Sequence, residues 1–188
     1  MGRGDGERTK RRIIESAYAL FYKQGFSRSS VDDIACRAGV TKRTLYAHFR
    51  SKDELLTAAL DLHDELAMAR IRIWSDRLTG GVDSVIDKVF SEFGAWASKP
   101  RWAGSGMTRL AMELADRPGH PGHAVARRHK SAVESWFAGE FARRRVKRPR
   151  ERARELVLML EGVNALMLVH RDPDYAKAAA KAVKRLIR

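Results

Sequence analysis

The sequence predicts an all-α protein of about nine helices, and three observations predict it. Apolar residues recur at three- and four-residue spacing in nearly every segment. Glycines and prolines fall mainly between those periodic runs, often beside Ser, Thr or Asp residues suited to helix N-termini. No stretch shows the strict alternation of a half-buried strand. With 188 residues, 44% of them hydrophobic, the chain has material for one large domain or two small ones.

The elements follow in order. Residues 1–8 are rich in glycine and charge and are expected to be disordered. From Thr9, Ile13, Ala17, Leu20 and Phe21 mark one face of a first helix, ended by Gly25. Ser30 opens a second helix with Asp33 as its capping-box partner, and Gly39 stops it. Thr41 caps a third, with Leu45 and Phe49 turned inward. Ser51 to Glu54 is another capping box, and the helix it starts runs to about Leu78. Thr79-Gly80-Gly81 breaks the pattern before a fifth helix, which Lys99-Pro100 ends. A sixth is expected from Trp102 to Ala115, then a loop over 117–122, and a seventh helix closed by Lys147-Arg-Pro149. An eighth of about 20 residues follows, and Asp172-Pro173 is expected to cap a ninth. No internal repeat is present.

Residues 30–49 are the most informative stretch. Two short helices joined by a tight glycine turn, with a further helix start directly after, make a helix-turn-helix. Such a motif needs polar groups on the outer face of its second helix and apolar anchors beneath. Thr41, Lys42, Arg43, Thr44 and Tyr46 supply the first set, and Val40, Leu45 and Phe49 the second. Lys42 and Arg43 lie at the end expected to enter the major groove, where an arginine reads guanine O6 and N7 together. Thr44 offers a methyl to thymine. Tyr46 and His48 suit phosphates, as does Lys52 beside the exposed N–H groups of the next helix. Arg28, Ser29 and Ser30 are placed to grip a phosphate at the start of helix two.

The run Val31-Asp-Asp-Ile-Ala-Cys-Arg-Ala-Gly-Val-Thr-Lys-Arg-Thr-Leu-Tyr-Ala-His-Phe-Arg-Ser-Lys-Asp-Glu-Leu resembles the N-terminal signature of the tetracycline-repressor (TetR) family, as does Tyr18-Ala-Leu-Phe-Tyr-Lys-Gln-Gly-Phe26. The resemblance is specific over about residues 9–60. It implies a homodimeric, ligand-responsive transcriptional regulator, usually a repressor. It also implies that Lys42, Tyr46, His48 and Lys52 occupy DNA-contacting positions. Arg43 departs from the small residue common at its position in the family, which leaves base reading and backbone contact both open. The domains are accordingly expected at 1–52, a DNA-binding domain with a basic N-terminal arm, and at 53–188, an effector-binding and dimerisation domain.

The C-terminal half carries weaker signals. Leu156 to Val169 is apolar nearly all round its helix, so it must be buried on more than one side, most simply by a second copy of the chain. Helix nine has a stripe of small residues, Ala176, Ala179, Ala180 and Val183, continued by Ile187, so a homodimer through helices 8 and 9 is expected. Glu161 and Asn164 are polar neighbours in the apolar helix and need partners: an effector's polar group or the interface. Phe93, Trp96, Trp102, Met107, Phe137 and Met159 are candidate walls of an apolar effector pocket, with core packing as the alternative for each.

Charge fits a polyanion partner. Residues 1–52 carry 12 Lys+Arg against 5 Asp+Glu, residues 53–119 carry 8 against 11, and residues 120–155 carry 11 against 4. Overall the chain is +14. Its one cysteine, Cys36, allows no internal disulfide and fits a reducing cytoplasm. Residues 1–12 lack the apolar stretch of a secretory signal, and the longest apolar run is too short to span a bilayer. No phosphate-binding loop, dinucleotide fingerprint, metal-ligand spacing or Ser-His-Asp arrangement is present, so neither enzyme activity nor a cofactor is expected. The expected partners are a double-stranded DNA operator and a small effector. The alternative is a constitutive dimeric DNA binder without an effector.

Overall fold

The computed structural model describes residues 3–76 and 78–187. Among these it has nine α-helices and no strand: α1 (Arg3–Gln24), α2 (Val31–Ala38), α3 (Lys42–His48), α4 (Lys52–Asp76), α5 (Val82–Ala97), α6 (Gly106–Glu113), α7 (Pro121–Arg143), α8 (Pro149–His170) and α9 (Asp174–Leu186). No helix among the described residues is long and apolar enough to cross a membrane.

The described residues pack as two units. The first takes the chain up to Ala69 together with Gly106–Arg128, and the second takes Arg70–Ser105 together with the chain from His129 onward. Packing therefore divides the chain differently from the functional boundary expected after residue 52. The apolar faces of α4 and α6 are the reason. Leu55, Leu56, Ala59, Leu60, Met107, Leu110 and Leu114 bury against Ile13, Ala17, Phe21, Ile34 and Leu45 in one cluster.

The second unit is built on α5, α8 and α9. Val85, Ile86, Phe90, Phe141, Leu156 and Met167 lie in its core. The small stripe of α9, Ala176, Ala179, Ala180 and Val183, is buried here. A Cβ on Gly94 of α5 would sit 3.3 Å from Ala176 Cβ, so small residues set a close approach of the two helices. That stripe is consumed within the chain, so it is not the face α9 would offer a partner.

Several local expectations change. Residues 3–8 are helical, with Arg8 paired to Asp5 one turn away at 2.9 Å, while Met1 and Gly2 lie outside the described residues. The last turn expected of α4 crosses Arg77, which also lies outside them. α6 begins at Gly106 rather than Trp102, because Gly104 takes a left-handed φ of 87° that ends any helix there. Pro121, expected in a loop, is the first residue of α7, where its missing N–H costs nothing. α9 starts at Asp174, one residue later than the Asp172 cap implies, but Asp172 Oδ1 still accepts from Asp174 N at 2.9 Å. Cys36 is exposed on α2.

Candidate nucleic-acid interface

The helix-turn-helix is held by local chemistry. Ser30 Oγ accepts from Asp33 N at 3.0 Å while Asp33 Oδ2 accepts from Ser30 N at 3.3 Å, a reciprocal capping box. The Ser30 hydroxyl also donates to Asp33 Oδ2 at 2.6 Å, and these bonds hold the Asp33 carboxyl below its ordinary pKa. At the other end of α2, Gly39 sits at φ 61°, its N–H bonding Cys36 O, while Val40 N bonds Ala35 O. Only that left-handed residue lets the chain reverse so sharply. Thr41 Oγ1 then accepts from Thr44 N at 3.1 Å and starts α3.

α3 is anchored from below by Leu45, fully buried, and by Phe49 just past its end. Its remaining residues face outward to varying degrees. Lys42 and Arg43 are exposed, Tyr46 is 47% exposed, and Thr44 and His48 are half-buried. Arg43 has no ion-pair partner among the described residues. Lys42 Nζ lies 3.0 Å from Asp32 Oδ2 on α2, and that hydrogen bond raises the lysine's pKa. Thr41 and Thr44 share a hydroxyl–hydroxyl bond of 2.9 Å.

The flanking positions divide. Arg28 is exposed with its guanidinium unpaired among the described residues. Ser29 corrects the sequence reading: it is fully buried and its hydroxyl donates to Gly25 O at 2.7 Å, so it braces the α1–α2 turn and cannot reach a phosphate. The Ser30 side chain is likewise committed to its cap. Lys52 is half-buried with Nζ 4.2 Å from the centre of the Phe26 ring. Burial lowers its pKa, against the pull of Glu113 and Asp53.

A clasp from α6, invisible in the sequence, fixes the turn before α2. The Glu113 carboxylate accepts from Phe26 N at 3.0 Å and Ser27 N at 2.6 Å. Burial pushes this carboxyl up, but the two N–H bonds and the Arg109 charge outweigh it and hold the pKa below the usual value. Arg109, one helical turn earlier, donates to Tyr22 O at 2.8 Å. Gly25 sits at φ 91°, and a Cβ there would meet the Glu113 oxygens at 3.2 Å. Beyond α6, Arg117 donates to Asp53 Oδ2 at 2.6 Å. That bond leads the lowering of the Asp53 pKa. His120 Nε2 lies 3.3 Å from Asp53 Oδ1 but is poorly aligned for a hydrogen bond; its Nδ1 accepts from Gly122 N.

A bacterial regulatory protein family model, that of the TetR family, matches residues 13–59, which span α1 to the start of α4. The chain carries a TetR-family DNA-binding domain. The chain is 45% identical over 69 residues to the HTH-type transcriptional regulator TtgR of Pseudomonas putida, a match covering 35% of this chain and 33% of that protein. The chain thus spans about a third of the length of the curated relatives it matches first. The fold extends further. SCO4454, a TetR-family regulator from Streptomyces coelicolor, superposes with a TM-score of 0.83 at 23% identity over 97% of this chain and 95% of that one. The multidrug binding protein EbrR, solved with proflavin, superposes with a TM-score of 0.72 at 24% identity over 95% and 99%.

The expected effector residues are not gathered in one place. Phe93, Trp96 and Trp102 meet edge to face, with ring centres 5.4 to 6.4 Å apart. Phe137 and Met159 pack in the same cluster of the second unit. Met107 does not: it is fully buried in the core of the first unit. Asn164 is buried and its Oδ1 accepts from Ser105 N at 2.8 Å, while Glu161 pairs with Lys130. The Trp102 indole N–H is buried and has no acceptor among the described residues. A cavity of about 30 Å³ lies instead in the first unit, between Tyr18, Tyr22, His63 and Arg109.

Proposed function

We propose that this protein is a dimeric transcriptional regulator, a repressor released from a palindromic operator by a small apolar or amphipathic effector. The observation that carries the reading is the outer face of α3. A seven-residue helix on an apolar anchor presents Lys42, Arg43 and Tyr46 to solvent, within a domain of TetR type. Arg43 and Lys42 enter the major groove, while Tyr46, His48, Arg28 and Lys52 hold phosphates. The α2 and α4 N-termini add N–H groups to that grip.

Dimerisation follows from α8. Leu158 is 66% exposed and Val169 74%, with Leu166 between them at 40%, and all three fall on one helical stripe. A second copy of α8, beside the outer surface of α9, covers that stripe with two-fold symmetry and pairs two recognition helices for two half-sites. The effector is taken by the aromatic group of Phe93, Trp96 and Trp102, walled by Phe137 and Met159. An acceptor on the effector satisfies the Trp102 N–H. The binding of proflavin by EbrR supports a planar amphipathic ligand. A signal leaves through Ser105, which Asn164 holds and which directly precedes α6. α6 carries the Arg109–Glu113 clasp on the α1–α2 turn.

One observation favours a constitutive DNA binder instead: Asn164 and Glu161, the polar groups suited to an effector, already have partners within the chain. The two readings separate in one experiment. Selection from a random duplex pool should yield a palindrome with half-sites a whole number of turns apart, and a library of planar amphipathic compounds should include members that lower operator affinity at fixed salt. No enriched sequence would end the regulator reading. An enriched palindrome with no releasing compound would leave the constitutive one.

A further inference from the structure

We propose that the turn between α7 and α8 is a second nucleic-acid contact, separate from the helix-turn-helix, that holds phosphates without reading sequence. Residues 143–154 contain eight Lys and Arg against one acidic residue, Glu151. Five of the eight are engaged. Arg143 and Arg144 share the buried Glu140, Arg148 faces Glu151, Arg152 faces Glu155 and Arg154 faces Glu134. Arg145, Lys147 and Arg150 are exposed, and none of them has an ion pair or hydrogen-bonded side chain among the described residues. Six residues of chain hold all three, so they lie within about 17 Å of one another even if fully extended.

The turn is also built rather than loose. Arg144 donates to Glu140 Oε2 at 2.5 Å and to the carbonyls of Leu78 and Gly80. Val146 packs into the second unit's core. These contacts fix the backbone from which the three free cations project. Arg144 and Glu140 neutralise each other, so the unpaired charge is concentrated on the outside.

Chemistry selects the partner. Two of the three free cations are arginines, whose planar forks match phosphate oxygens two at a time. The turn exposes no aromatic ring on which a base could stack and no large apolar side chain to enter a bilayer, since Val146 is turned inward. The occupant is therefore the phosphate backbone of duplex DNA, bound through ion pairs that release counterions.

The test uses the full chain and a 60-base-pair duplex of random sequence, with affinity measured by fluorescence anisotropy across a salt series. Two sets of substitutions are compared. Arg145→Gln, Lys147→Gln and Arg150→Gln neutralise the turn at exposed positions; Lys42→Ala and Tyr46→Ala disable the recognition helix. Each phosphate pair contributes about 0.9 to the slope of log affinity against log salt, so the neutralised turn should lower that slope by about 2 to 3. In the disabled background, residual random-duplex binding should persist, and adding the turn substitutions should weaken it further with the same drop in salt slope. An unchanged slope overturns the proposal, as does complete loss of binding from disabling the recognition helix alone. Loss of binding to phosphatidylserine vesicles with the duplex slope intact also overturns it, in favour of a membrane surface.

Discussion

α3 and α8 are both incomplete surfaces, but in opposite senses. α3 buries one apolar residue and leaves cations and hydroxyls outside, a face that water satisfies and that is here proposed to meet phosphates and base edges. α8 buries Ala153, Leu156, Val163 and Met167 and still leaves Leu158, Leu166 and Val169 outside, a face that water does not satisfy. The first can wait for its partner at little cost. The second carries a continuing penalty while uncovered, which is why the proposed partner for α8 is permanent and that for α3 is not.

The largest effect expected from breaking this contrast lies on α8. Leu158→Asp with Val169→Asp places charge in the proposed interface twice over, and removing that apolar burial should weaken self-association by roughly 5 kcal/mol. Sedimentation velocity should show monomer at micromolar concentration, and operator affinity should fall with it. A dimer of unchanged strength would put the interface elsewhere. Next is Leu45→Ala, the anchor under α3. It should destabilise the first unit by about 2–5 kcal/mol, read from urea unfolding followed by circular dichroism. On the outer face, Arg43→Ala should relax the preference at one base pair by about 1–3 kcal/mol while leaving the rest of the operator logo intact. Equal loss across all operator variants would assign Arg43 to the backbone.

The smallest expected effect concerns the clasp. Glu113→Gln keeps one acceptor for the α1–α2 turn and should cost roughly 1 kcal/mol. Its signature is in pH. The Glu113 pKa is lowered in the folded state, so its contribution is present above the ordinary 4.5 and is lost as pH falls through the folded value. Acid titration of stability should therefore be shallower below pH 4.5 in the variant than in the parent. Parallel curves would mean that the carboxylate does not hold the turn.

What the sequence revealed follows the range of each interaction. The caps at Ser30 and Thr41 and the turn at Gly39 are settled by residues within three or four positions, and these appear in the structure as expected. Ser51 also accepts from Glu54 N at 3.1 Å, although the carboxylate of Glu54 turns to Arg50 N rather than back to Ser51. Residues 3–8 are helical against the expectation of disorder: the Asp5–Arg8 pair supports a turn that the glycines disfavour. Glu113 carried no local signal at all: its partners lie 86 and 87 positions away. The α9 stripe shows the same limit. Small residues at helical spacing announce close packing, but the partner was α5 of the same chain. Residue type alone does not place Met107, which lies in the core of the first unit, or Ser29, which is buried beneath the α1–α2 turn.

The pairing of Lys42 with Asp32 has a kinetic side. A phosphate that approaches α3 must first compete with a carboxylate already at 3.0 Å. Arbitrary duplex offers only charge in exchange, so its hold on this lysine is weakened and its residence shortened. A matching site adds base contacts that outlast the exchange. On the proposed DNA-binding reading, this exposed pair with the supporting helix slightly weakens nonspecific encounters and so shortens the protein's stay on wrong sequences.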